Sequence, residues 1–467
     1  MIKLISTIII TTICIVFLIF SKKIHGKDLF APLSFFALYF FLTRIPRIIR
    51  ADQFLYGFRD VISDSMRVKY LVIIVVFLIF VLIGGIVKSS RTSVEIKIGH
   101  GKTERLEYRL NESNVNYSRL LDAGIICYVI GAFSKIYLIL RAGGFRAIWS
   151  ALYDRTNMLA GAGYIDYLTI CMTFGLAAFE IYVLNCKKHK VLFVILCGVA
   201  VVLNIAFGNR APLMKMVLAL VFVYWYTTPK AINWKRMINA RNIILGIVLV
   251  SLLIVLPQFR SADFQLSTST LGSSVRNSFE SVTSIFDQIS FYDEDVYSFN
   301  YFTEDKLWHG RSYSSLLMAW IPRSLYPGKP PIDDGMYLRA IMKGYDIVPP
   351  MSVSALNDLT VSSSVPFTTC GIMYANFGMF GVIIGGLLTG IIIVGQYKKM
   401  KKTNSLADIL IYQIICTRLA FTNKGIVELL ISLVIIKCIC GFVYKTQGVN
   451  RPNVLFMETK WEEISTL

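Results

Sequence analysis

Three groups of residues carry the types that do phosphate and sugar chemistry. The first is Phe207-Gly208-Asn209-Arg210-Ala211-Pro212, a guanidinium where two apolar runs meet. A guanidinium fork matches a pair of phosphate oxygens, and it equally suits a side chain snorkelling from a tight turn. The second is Gln258-Phe259-Arg260-Ser261-Ala262-Asp263, with Arg276 beyond it. Each arginine is a phosphate ligand, an interfacial anchor or a salt-bridge partner. The third runs from Trp308-His309-Gly310-Arg311-Ser312-Tyr313 to Ile321-Pro322-Arg323-Ser324-Leu325-Tyr326-Pro327-Gly328-Lys329-Pro330-Pro331. Rings beside cations make a surface for pyranose faces and phosphates, with Tyr313, Arg323 and Lys329 as its candidates. The bland alternative is a loop stiffened by prolines. Asp333, Asp334, Glu280, Asp287 and His309 are each able to take a proton from an attacking hydroxyl, and the choice among them stays open. Asp293-Glu294-Asp295 contains a D-x-D pattern, but an acid run of this kind is expected to be solvated surface.

These residues must be held by membrane helices. A mean hydropathy of +0.60 and a 16% charged fraction exclude an ordinary soluble domain. An all-α polytopic membrane protein with about eleven spans (10–12) is expected. The spans are Ile5–Phe20, Leu29–Thr43, Tyr70–Val87, Leu120–Leu140, Tyr167–Cys186, Val191–Phe207, Pro212–Thr228, Ile243–Pro257, Pro366–Tyr397, Leu406–Phe421 and Ile426–Tyr444. Four regions follow: eight spans in 1–257, a large external loop with short helices in 258–365, three spans in 366–444, and a tail in 445–467. Ile5–Phe20 reads as a permanent anchor, because Ser21-Lys22-Lys23 follows it with no small-x-small cleavage site.

The net charge of +19 invites a nucleic-acid reading, but its distribution excludes one. The basic residues crowd into short loops that alternation places on one side, as the positive-inside rule expects for the cytoplasm. The opposite side receives residues 258–365, where eight Lys/Arg face twelve Asp/Glu, a net charge of −4. One loop breaks the pattern: residues 44–69 carry six basic residues yet fall outside. Either an early span is misplaced or this loop has an anionic partner. Nine cysteines lie in or beside the spans and none in 258–365, so no disulfide framework orders that loop. Four scattered histidines have no metal-ligand spacing, and there is no Walker A run.

Finer features refine this layout. Residues 273–289 have helical spacing, and 312–321 read as a short interfacial helix ended by prolines. The glycines of 370–395 predict close helix packing. Glu180, Lys135, Lys215, Glu428 and Lys437 fall within or near spans and read as peripheral or paired.

Four elements, in order along most of the chain, resemble the Wzy-type O-antigen polymerases, the oligosaccharide repeat-unit polymerases. Lys27-Asp28-Leu29-Phe30-Ala31-Pro32-Leu33 looks like the family's opening K-D-x-F-[SA]-P-L, and Gly208-Asn209-Arg210 like its G-[ST]-R. Gly310 to Pro330 resembles G-x-S-Y…I-P-R-x-[LW]-x-x-K-P, the most specific of the four. Gly371-Ile372-Met373-Tyr374-Ala375-Asn376-Phe377-Gly378-Met379-Phe380-Gly381 resembles G-E-x-Y-x-N-F-G-x-x-G, with Ile372 where the family has an acid. The resemblance implies a glycosyltransferase of the bacterial inner membrane, active at its outer face. It would polymerise undecaprenyl-diphosphate-linked oligosaccharide units into O-antigen or capsular polysaccharide, as in lipopolysaccharide synthesis. Arg210, Arg260, Arg276, Arg323 and Lys329 would stabilise the departing diphosphate. Lipid would surround the protein, a chain-length regulator would be a further partner, and no cofactor would be needed. A ligase-type transferase, or a flippase for the same lipid-linked oligosaccharide, shares many of these expectations.

Overall fold

The computed structural model describes residues 1–26, 28, 30–54, 61–90, 115–144, 162–205, 210–227, 289–323, 325–359, 361 and 363–444. Among the described residues the secondary structure is helical and no strand forms; a single bridge pairs Gln53 with Val61. Seven helices among the described residues are long and apolar enough to cross a bilayer: Ile2–His25, Pro32–Arg50, Asp64–Ser89, Tyr117–Arg141, Gly163–Cys186, Thr369–Thr403 and Asn423–Tyr444. Lys190–Ile205 and Pro212–Thr227 are apolar but shorter, and Leu406–Arg418 has 13 residues. Ten of the eleven apolar runs named above are thus helices; Ile243–Pro257 lies outside the described residues.

Local signals set the helix ends. Pro32 starts its helix at a position that needs no N–H donor. The side chains of Asn116, Thr368 and Ser405 accept from backbone N–H groups of their first turns. Glycines set the closest packing, between Asp64–Ser90 and Thr369–Thr403. A Cβ on Gly390 would stand 2.1 Å from the Val81 carbonyl oxygen, and one on Gly84 2.3 Å from that of Leu387. Only glycine permits backbones this close. The glycine-rich stretch therefore packs as its composition predicts.

Thr369–Thr403 is not one rod. Gly378 has φ +59° and ψ −145°, a conformation outside any helix and open to glycine. A Cβ on Gly381 would meet the Met373 carbonyl oxygen at 2.1 Å. Residues eight apart in a straight helix are about 12 Å apart, so the Thr369–Phe377 arm folds back on the longer arm.

Contacts between distant loops fall at two ends. At one, Asp28 accepts from Trp225 Nε1 (3.1 Å) and from the hydroxyls of Tyr226 (3.2 Å) and Tyr397 (2.8 Å), and it pairs with Lys401 (3.0 Å). Lys398 donates to the Lys88 carbonyl at the same end. At the other, Lys3 pairs with Asp52, Lys424 with Asp333, and Tyr164 reaches the Ala319 carbonyl. This sorting fits alternation of the described helices on either side of residues 228–288, with the described part of the long loop at the second end.

That part of the loop has its own apolar core. Trp308 is buried among Phe302, Tyr337 and Phe367 and donates to the Ile347 carbonyl. Residues 312–321 form a 3-10 turn at Arg311–Tyr313 and one α turn at Ser314–Leu317, shorter than the expected helix. Leu317 and Trp320 project outward there, 82% and 58% exposed, as an interfacial segment would. The helix expected over 273–289 lies, but for its last residue, outside the described residues.

Candidate functional site

Two clusters of buried charge stand at the loop-bearing end. In the first, the Pro32–Arg50 helix presents Arg44 and Arg47 one turn apart to the Tyr292–Tyr301 helix. Arg47 grips Asp293 with two bonds, Nε to Oδ1 at 3.0 Å and Nη2 to Oδ2 at 2.8 Å. Arg44 donates to Asp295 at 2.9 Å, and its guanidinium lies 4.4 Å from the Phe40 ring centroid. Asp295 also accepts from Thr368 (2.5 Å), the residue that caps the Thr369–Phe377 arm. Asp293, Glu294 and Asp295 are all buried. This corrects the expectation that the acid run is solvated surface: its aspartates are the anionic partner of the loop that broke the charge rule. Between its paired neighbours, Glu294 has its carboxyl pushed up to about 8, chiefly by burial, with the two flanking aspartates adding to the rise.

The second cluster lines a cavity of about 680 Å³ among the helices. Its walls carry Arg44, Lys135, Lys215, Arg418 and Lys424 beside Asp166, Asp333, Asp334 and Glu428. Lys215 sits in the Arg210–Thr227 helix, Arg418 ends Leu406–Arg418, and Lys424 and Glu428 share the first turns of the last helix. Glu428 Oε2 accepts from Lys215 Nζ at 3.0 Å and from Arg418 Nη1 at 3.1 Å. Lys424, one turn earlier on the same helix, pairs with Asp333 at 3.0 Å. Asp333 also accepts from Ser364 (3.2 Å) and from the Gly335 N–H (3.1 Å), and its side chain keeps 31% exposure. Deeper, Lys135 donates to Asn204 at 2.6 Å.

Two helix starts complete the wall. Thr368, Thr369 and Cys370 line it from the folded-back arm, and Thr422, Lys424 and Gly425 from the last helix. Helix N-termini carry partial positive charge. The walls therefore offer three clustered cations and two helix dipoles at an apolar boundary.

Asp334 plays a different part from its neighbour. It is 1% exposed and accepts at both oxygens from Asn423, from the backbone N–H and from Nδ2, each at 2.7 Å. The same Nδ2 reaches the Ser312 carbonyl, and Ser312 Oγ reaches Asn376 at 3.0 Å. Burial pushes the Asp334 carboxyl up to about 7 against the pull of the Asn423 N–H. This network ties the third resemblance element to the fourth, and both to the last helix. Ile372 is fully buried in the loop's apolar core.

The sequence candidates thus scatter. Asp333 and Asp334 line the cavity; His309, Tyr313, Arg323 and Lys329 do not. Lys329 is buried and donates to the Ala319 and Ile321 carbonyls, both at 2.7 Å, so its ammonium pins the proline-rich turn. Tyr313 donates to the Phe421 carbonyl at 2.8 Å and stacks on Phe377. His309 occupies a left-handed turn (φ 50°) and is exposed, as is Arg323. Arg210 begins the helix that carries the wall residues Pro212 and Lys215. Arg260, Arg276, Glu280 and Asp287 lie outside the described residues. Sequence reading missed Arg418 and Lys424 and took Lys215 and Glu428 for peripheral or paired. Their pairing holds, but they line the cavity. The usable signal was the cost of four charges at the ends of apolar runs without a stated purpose. No family model matches the chain, and no curated protein or solved structure matches it.

Proposed function

We propose that the chain is a glycosyltransferase that polymerises lipid-diphosphate-linked oligosaccharide units at the outer face of a bacterial inner membrane. The observation that carries this reading is the cavity. It sets Lys215, Arg418 and Lys424 beside the partly exposed carboxylate of Asp333, among apolar helices and under the loop-bearing end. A lipid diphosphate needs that combination: cations for the headgroup and apolar walls for the chain. The growing glycan leaves its lipid diphosphate for a hydroxyl of the incoming unit. Lys215, Arg418 and Lys424 stabilise the charge that develops on the departing diphosphate, an effect commonly worth several kcal/mol. Asp333, paired with Lys424 at 3.0 Å, takes the proton of the attacking hydroxyl. Asp334, held by Asn423, positions the loop against the last helix. The proposal includes about eleven spans, the cavity end outside and the Asp28 end in the cytoplasm. Arg210 remains a further phosphate ligand in this reading.

The decisive experiment supplies purified protein in nanodiscs with the lipid-linked repeat unit. A ladder of longer lipid-linked glycans is the expected product. Units that never lengthen, from a host whose surface ladder depends on this chain, would refute the polymerase reading. One observation favours a second reading: Lys135, Lys215 and Glu428 are charges inside helices lining a cavity, as a flippase for the same lipid-linked oligosaccharide would have. Movement of units across liposomes without elongation would select it. Transfer to lipid-A core in place of a second unit would select a ligase.

A further inference from the structure

Among the cavity cations sits an anion of the chain's own. Glu428 receives Lys215 and Arg418 on one oxygen, while Lys424, the third cation, is held by Asp333. The pairing is unlike that of a purely structural bridge. Arg47 and Asp293 are tied by two bonds, with side chains only 8% and 2% exposed. Lys215 and Glu428 meet through one bond, with side chains 31% and 15% exposed, and Arg418, 7% exposed, meets the same oxygen through one more; all three line the cavity. A carboxylate oxygen at the convergence of two cations occupies the place that a phosphate oxygen would take.

We infer that Glu428 is the resident counter-anion of this cluster, holding Lys215 and Arg418 while the cavity is empty and ceding them to a phosphate-bearing headgroup that enters. The inference rests on the reading of the cavity as a diphosphate site, and it adds how that site is kept charged without a ligand. Burying two uncompensated cations is costly, and a movable carboxylate avoids that cost. The same carboxylate opposes every incoming anion, so it sets a threshold of charge that a ligand must exceed to displace it. Glu428 is a positioning residue in this scheme.

Calorimetric titration of inorganic pyrophosphate into the full-length purified protein tests the exchange. Glu428→Gln is expected to bind about tenfold tighter or more, since a like charge is removed from the site. Arg418→Ala is expected to lose the binding. Equal or weaker binding by folded Glu428→Gln overturns the inference, because a merely structural carboxylate would loosen the site when removed. If that variant does not fold, Glu428→Asp, one methylene shorter and less able to reach both cations, replaces it with the same two outcomes. Repeating the titration with a polyprenyl diphosphate in nanodiscs separates a lipid headgroup from free phosphate: tightening with both supports exchange of lipid ligands, and tightening with neither overturns it. Tighter pyrophosphate binding without glycan elongation would leave the exchange standing while the polymerase reading fell; elongation without tightening would do the reverse.

Discussion

The acid–arginine cluster at Asp293–Asp295 and the cation cluster at Glu428 use the same kinds of side chain to opposite ends. In the first, each aspartate has an arginine of its own, and Asp293 is held bidentately. In the second, one carboxylate oxygen serves two cations and a third cation stands one turn away. The first commits Arg47 fully to Asp293 and ties Arg44, which also borders the cavity, to Asp295, so it can fix the loop to the bundle. The second faces a cavity with cations held by a displaceable carboxylate. The stoichiometry of pairing, more than residue type, separates a rivet from a binding site.

The largest expected effect breaks the rivet. Arg47→Ala leaves Asp293 buried without its main partner and should cost about 3–5 kcal/mol of stability, read as a lower Tm and loss of protein from the membrane fraction. If Arg47→Ala left Tm unchanged, the first cluster would not be structural. Next comes Asp333→Asn, which should lower elongation by about 10²–10⁴-fold with little change in Tm, as expected for loss of a general base. Single-turnover kinetics on nanodiscs would measure it, and a variant with normal turnover removes Asp333 from the chemistry. Arg418→Lys keeps the charge but loses the planar fork; a fall of about tenfold in turnover, with unchanged Tm, would place that residue on the diphosphate.

The smallest effect concerns Asp334. Its carboxyl is raised to about 7 in the folded protein, above an unfolded value of about 3.9. The folded state then binds the proton more tightly than the unfolded one. Its stabilising contribution is full below about pH 4 and is lost as pH rises through about 7. Tm measured from pH 4 to 8 should decline with a slope that Asp334→Asn reduces; identical slopes would exclude Asp334 as the source.

How much of this was legible depends on distance along the chain. Ile5–Phe20 and Tyr70–Val87 are visible because hydropathy is local, and both are helices. The partnership of Arg44 with Asp295 spans 251 positions and follows from packing, so an acid run and a misplaced basic loop looked like two separate oddities. Lys329 shows the limit at a single residue. Its charge is plain in the sequence, but a carbonyl oxygen and a phosphate oxygen attract an ammonium alike, and only the fold decides which is within reach. Asp333 and Asp334 are adjacent in sequence and both border the cavity, yet one is partly exposed and the other is buried in hydrogen bonds from Asn423.

The reversal at Gly378 also settles a question of length. Thirty-five helical residues laid straight would measure about 52 Å, far more than the roughly 30 Å of a bilayer's hydrocarbon. Folding back at Gly378 leaves 25 residues in the longer arm, Met379–Thr403, about 38 Å, which a modest tilt accommodates. The surplus becomes a short arm whose capped start faces the cavity. An apolar run that counts as one overlong crossing in the sequence is thus a crossing plus a plug, and a side chain at position 378 would set the two against each other.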